Sequence, residues 1–161
     1  MKDVELFRKI PLFRGLDDKD LLRLAAIATE STFVPGQVIF GEGSSGDAMF
    51  IVKSGTVRVS KQSQEAEEEI ARFSGGQHFG EMALIDNETR SATVDTVEAS
   101  QLIRVGRDDL EKLLAQDDAL SNRVYRAFTK YLCNRLRQTT NDLAFIRGVA
   151  KRLGGQEQPP F

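Results

Sequence analysis

Gly80, Glu81 and Arg90 stand within the sixteen-residue run from Phe79 to Val94, which reads Phe79-Gly80-Glu81-Met82-Ala83-Leu84-Ile85 and then Arg90-Ser91-Ala92-Thr93-Val94. A glycine lets backbone approach a ligand closely, because no side chain intervenes and a positive φ costs it little. The amides that open the turn after Gly80 point outward without partners and suit an anion. Arg90 offers a planar, permanently charged fork that matches phosphate oxygens. Glu81 would be repelled by that phosphate and should face a neutral donor such as a ribose hydroxyl. One carboxylate and one arginine thus serve opposite ends of a nucleotide-like molecule.

Such groups must be held by a frame, and the sequence supplies one. From Thr32 to Val105 short β-type runs alternate with glycine turns: Val38-Ile39-Phe40, Met49 to Val52, Val57 to Val59, Ile70 to Phe73, Ala92 to Val94 and Leu102 to Val105. Pro35-Gly36, Ser54-Gly55 and Gly75-Gly76 are the turn signals between them. Many short strands at this spacing predict a small barrel or roll. The polar stretch Gln62 to Glu69 reads as a solvated hairpin tip.

Helical patterns flank the strands. Residues 4–14 predict a short helix broken by Pro11, and Asp17 or Asp18 can cap a second helix through Ile27. Asp108 and Asp109 complement the dipole of a helix through Leu114. Asp117 or Asp118 can cap a long helix to about Leu153, with Gly154-Gly155 as its stop. Gly148 costs that helix about 1 kcal/mol of propensity. Val124, Ala127, Phe128 and Tyr131 form one apolar patch on it. Leu132, Leu136, Thr139, Leu143, Ile146, Ala150 and Leu153 recur four and three apart, a heptad seam. A helix apolar on two sides favours one face docked on the roll and the other on a second chain, a parallel homodimer, the alternative being a seam packed within the chain or against another domain.

The glycine-framed run resembles the phosphate-binding cassette of the cyclic nucleotide-binding domain family, found in bacterial catabolite activators, protein kinase A regulatory subunits and cyclic nucleotide-gated channels. Gly36 to Phe40, Gly43, Gly46, Phe50 to Val52 and Gly55 to Val59 fall where that family's β-roll places its glycines and strands, so the resemblance covers residues 5 to 150. It implies an α+β, mainly β fold: a jelly-roll-like antiparallel β-roll flanked by N-terminal helices and a long C-terminal helix. It further implies one domain over residues 1–153, with helices at 4–30, the roll at 31–106, helices at 107–153 and a disordered tail at 154–161.

By the same resemblance, Glu81 accepts from the ribose 2′-hydroxyl and Arg90 pairs with the exocyclic phosphate oxygen. Gly80, Ser91 and the amides of Met82 and Ala83 complete the phosphate and ribose site. Val59, Ala71 and Phe73 line the purine, and Arg135 covers it. Anchored on Arg135-Leu136, Thr139 and Thr140 match residues that contact adenine across the catabolite activator dimer. An anchor on Leu143-Ala144-Phe145 instead shifts these threonines by three positions and removes that role.

Composition narrows the remaining possibilities. A net charge of −2 over 161 residues gives no general attraction to nucleic acid or anionic membrane. No apolar run approaches the roughly 18 residues a span requires, and Met1-Lys2-Asp3 does not resemble a signal peptide, so the cytoplasm is the expected compartment. The single cysteine cannot form an intramolecular disulfide, and with one histidine it cannot build a zinc site. Cys133 reads as a small apolar packer, and His78 as structural or surface. No nucleophile–base pair or paired carboxylates point to an enzyme, and no cofactor is expected. The ligand is a cyclic nucleotide, cyclic AMP before cyclic GMP. The helix-turn-helix that follows this helix in catabolite activators has no counterpart before the end at Phe161. The expectation is therefore a stand-alone receptor that binds no DNA and signals to an unknown downstream protein. The alternative is an interaction module that keeps the fold without using the ligand.

Overall fold

In the computed structural model, residues 4–64 and 66–154 are described. Helix α1 (Val4–Lys9) gives way to a 3-10 turn (Pro11–Phe13), and helix α2 follows (Asp18–Ile27). Pro11 divides the first two as its missing N–H requires. Phe7 and Phe13 then stack across the break, with ring centroids 5.5 Å apart. Asp17 caps α2 by accepting from the Asp20 amide at 2.8 Å.

Eight antiparallel strands form the roll: β1 (Thr29–Phe33), β2 (Val38–Phe40), β3 (Ala48–Ser54), β4 (Thr56–Gln62), β5 (Glu67–Ser74), β6 (His78–Phe79), β7 (Thr93–Thr96) and β8 (Ser100–Gly106). They make two four-stranded sheets, ordered β1-β8-β3-β6 and β2-β7-β4-β5. Helices α3 (Arg107–Leu114) and α4 (Asp118–Gly154) close the chain.

Strand β3 explains the layering. Ala48, Phe50 and Val52 face the interior of the roll, against Val57, Val59, Phe79, Val94 and Leu102. Met49 and Ile51 face the other way, into a second apolar cluster with Phe7, Leu24, Leu110, Leu120 and Phe128. The strand is buried on both faces, and its sequence is accordingly an unbroken apolar run rather than an alternating one. Gly55 turns the chain from β3 into β4 at φ +85°, where a Cβ would collide with the Ser100 hydroxyl oxygen.

The expected boundaries shift in places. The roll starts at Thr29 rather than residue 31, because Thr29 and Glu30 pair with Arg104 and Ile103 of β8. Glu67, Glu68 and Glu69 belong to β5, paired with Gln62, Lys61 and Ser60, so the hairpin tip is shorter than the acidic run. Asp117, not Asp118, caps α4 by accepting from the Leu120 amide at 2.9 Å. The helix continues through Gly148 to Gly154. Cys133 is exposed rather than packed. Gly154, expected to begin the tail, is instead the last residue of α4; the rest of the expected tail, 155–161, and the expectations for Met1 to Asp3 and Glu65 lie outside the described residues.

Among the described residues no helix is long and apolar enough to cross a membrane, and no group of three or more His, Cys, Asp or Glu could hold a metal ion.

Candidate ligand-binding site

Gly80 ends β6 in the left-handed region at φ +75°, and residues Glu81–Leu84 follow as one 3-10 turn. A side chain at Gly80 would be strained by that φ, and its Cβ would lie 2.7 Å from Arg90 Nη1. The glycine therefore serves the arginine directly. Within the turn the Ala83 amide donates to the Gly80 carbonyl at 3.3 Å. The Met82 amide has no hydrogen-bond partner among the described residues. The two amides expected to serve a phosphate thus differ, since one already closes the turn.

Arg90 is the best-anchored group of the site. Its backbone is clamped to the loop after β2: its N–H donates to the Ser44 carbonyl and its carbonyl accepts from the Gly43 amide, both at 2.8 Å. The guanidinium is buried. Nη2 donates to the Ala48 carbonyl at 2.7 Å and Nη1 to the Gly80 carbonyl at 3.4 Å. The group lies 3.9 Å from the centre of the Phe40 ring. Asp47 Oδ1 is 3.9 Å away, but Asp47 Oδ2 is bonded at 2.7 Å to Arg104. Burial lowers the pKa of Arg90 from its ordinary value, with Asp47 opposing. The Nε donor is buried and has no partner. A desolvated cation with an unused donor is costly to leave unmatched, and an anion matches it.

Arg107, outside the cavity lining, braces the loop that follows the turn. Its guanidinium donates to the Asp86 carbonyl at 2.7 Å, to the Asn87 side chain and to the Gly46 carbonyl. This residue ties the loop between Glu81 and Arg90 to the loop before β3. Nothing in its sequence context marks it, because its partners are mostly backbone carbonyls brought near by the fold.

These groups open on one cavity of about 500 Å³. Gly80, Glu81, Met82, Ala83, Arg90 and Ser91 all line it. So do Val59, Ala71 and Phe73 from β4 and β5, and Arg135 from α4. Val59 is at once part of the roll's core and a wall of the cavity, with Ala71 and Phe73 packed beside it. Thr139 and Thr140 do not line it. Both are exposed on α4, and their hydroxyls donate to the Arg135 and Leu136 carbonyls of their own helix at 3.0 and 2.9 Å.

The end of the cavity near α4 holds a group the sequence presents only as an apolar packer. The Tyr131 hydroxyl stands beside Glu81, and burial together with the Glu81 charge pushes its pKa up to about 12. Burial also raises the pKa of Glu81, opposed by its own backbone N–H, Arg135 and Tyr131. His78 is buried against Tyr131, ring centroids 5.1 Å apart. Burial, and secondarily Arg135, bring its pKa down to about 4. One carboxylate, one phenol and one guanidinium thus meet where α4 crosses the mouth of the roll.

Comparison with known proteins agrees with this geometry. The profile of the cyclic nucleotide-binding domain matches residues 30–117. A CRP-like cAMP-activated global transcriptional regulator of Mycobacterium tuberculosis is 26% identical over 141 residues, 87% of this chain and 61% of that protein. The chain therefore spans about three fifths of that relative's length. The N-terminal domain of a Streptomyces coelicolor transcriptional regulator superposes with a TM-score of 0.74 at 29% identity, covering 86% of this chain and 94% of that one. The regulatory domain of Toxoplasma gondii PKA, crystallised with cAMP, gives a TM-score of 0.66 at 32% identity, covering 74% and 45%.

Proposed function

The chain belongs to the cyclic nucleotide-binding domain family, and from that premise we propose that it is a receptor domain for a 3′,5′-cyclic nucleotide, with cyclic AMP favoured and cyclic GMP the alternative. One observation carries this reading: Arg90, whose buried guanidinium is held by two backbone carbonyls and keeps an unpartnered Nε, lines the same cavity as Glu81. The phosphate meets Arg90, Ser91 and the Met82 amide, while Glu81 accepts from a ribose hydroxyl. Val59, Ala71 and Phe73 give the base an apolar wall, and the Arg135 guanidinium supplies a flat cation to cover it. Cyclic AMP is favoured because a relative is described as cAMP-activated and a structural neighbour was crystallised with cAMP.

The role is binding and relay rather than catalysis. Tyr131 and Arg135 reach the cavity from α4, so a ligand that takes the Glu81 carboxylate must also resettle that helix. It shifts α4 only as far as its affinities for the two positions differ. Leu136, Leu143, Ile146 and Leu153 are exposed on the same helix, and we assign them to a parallel dimer seam that passes the movement to a downstream protein. In that dimer Thr139 and Thr140 would serve the partner's adenine.

Calorimetric titration with cyclic AMP and cyclic GMP tests the reading. Wild-type protein should bind at least one of them, and Arg90→Ala should lose about ten- to a hundred-fold in affinity, as expected for a charge-assisted contact. Unchanged affinity in Arg90→Ala would remove the phosphate assignment. Absence of binding by the wild type would favour an interaction module that does not use the ligand.

A further inference from the structure

A second cavity, of about 600 Å³, lies between the N-terminal turn, the β5–β6 connection and α4. It shares Phe73, His78, Tyr131 and Arg135 with the first cavity but not Arg90 or Glu81. Its charge is one-sided. Lys9, Arg14, Lys130 and Arg135 line it, and no carboxylate among the described residues does. This happens in a chain with 22 basic and 24 acidic residues, where opposite charges are plentiful enough to have been placed there. Three cations elsewhere in the fold are matched, Arg23 with Asp117, Arg58 with Asp95 and Arg72 with Glu69. Lys9, Arg14 and Lys130 form no ion pair among the described residues.

The neutral groups of the cavity are also donors. Asn134 and Gln138 contribute amides from α4. Gln77 uses its carbonyl oxygen to accept from the Ser74 amide at 2.8 Å, which leaves its NH2 free to donate. His78 is buried on the shared wall with an unpartnered Nε2. Like charges gathered without a counter-charge repel one another, and an anion placed among them turns that repulsion into attraction.

We infer that this cavity is a second anion site, for a small phosphorylated ligand carrying two or more negative charges. A cyclic phosphate diester has one charge and is met by the single Arg90. Four cations and three amides around a cavity of 600 Å³ fit a phosphate ester of higher charge. The site requires nothing of the cyclic nucleotide reading, since Lys9, Arg14 and Lys130 take no part in the first cavity.

Titration calorimetry with inorganic tripolyphosphate tests it, on the wild type and three variants. Arg14→Gln/Lys130→Gln removes two exposed cations of the site and should weaken binding at least tenfold. Arg90→Ala controls for the first cavity, and Arg147→Gln/Lys151→Gln removes equal charge from the far end of α4. The distal pair should bind as the wild type does, and Arg90→Ala should keep the component that Arg14→Gln/Lys130→Gln removes. Equal melting temperatures establish that each variant is folded, and should Arg14→Gln/Lys130→Gln melt early, Lys9→Gln replaces it. The chain has one histidine, so its imidazole 15N signals report on His78 alone. They should move on titration in the wild type and stay fixed in Arg14→Gln/Lys130→Gln. No wild-type binding, equal weakening by the distal pair, or loss confined to Arg90→Ala would each overturn the proposal.

Discussion

Two buried nitrogens, Arg90 Nε and His78 Nε2, have no hydrogen-bond partner, and they have opposite consequences. Arg90 stays charged, so the cost of its unmatched donor is one that a nearby anion offsets. His78 avoids the difficulty by staying neutral, its pKa brought down from 6.5 to about 4. As pH falls through that interval the unfolded chain takes up the proton first, so stability is present above 6.5 and is lost as pH falls toward about 4. At about 1.4 kcal/mol per pH unit the gap amounts to about 3 kcal/mol. Glu81 acts in the opposite sense. Its raised pKa means the folded chain holds the proton longer, and that contribution is lost as pH rises above the ordinary carboxylate range. Urea unfolding of wild type and His78→Gln at a series of pH values separates the two. The wild type should lose stability relative to the variant between pH 6.5 and about 4, and a constant difference would show that burial does not hold the imidazole neutral.

At the scale of elements, the parts legible from sequence were those whose chemistry is local. The cassette reads directly because Gly80, Glu81, Ala83 and Arg90 are close in the chain and each residue type has a stated use. Helix starts at Asp17 and Asp117 read well because a cap is a contact three residues long. Strand β1 was harder to see at its start: Thr29 and Glu30 are polar and exposed, and only pairing with β8 makes them strand. Tyr131 and Arg107 meet partners 50 and 21 residues away, Glu81 and Asp86, and no local pattern encodes that. The seam on α4 is the reverse case, periodic in sequence but without a partner in one chain. Leu136 and Leu143 are 68% and 46% exposed, which a lone helix in water has no reason to keep apolar. Light scattering should find a dimer for the wild type and a monomer for Leu136→Asp/Leu143→Asp. A monomeric wild type at tens of micromolar would dismiss the seam.

For the whole molecule, ligand and fold are linked by mass action. A cyclic nucleotide at a hundred times its dissociation constant adds about 2.7 kcal/mol, which for a chain of this size raises the melting temperature by roughly 5–10 °C. Thermal shift should show this for the wild type and a much smaller rise for Arg90→Ala at the same concentration. An equal rise in both would place the ligand elsewhere. Strand β3 carries a further consequence. Because Met49 and Ile51 belong to the helical cluster while Ala48, Phe50 and Val52 belong to the roll, no cut through the chain leaves either half with a finished surface. A roll excised at residues 29–106 would show Met49, Ile51, Ile103 and Val105 to water, and helices without it would lose their floor. The two should melt in one step, and amides of β3 should exchange with solvent only when the entire domain opens.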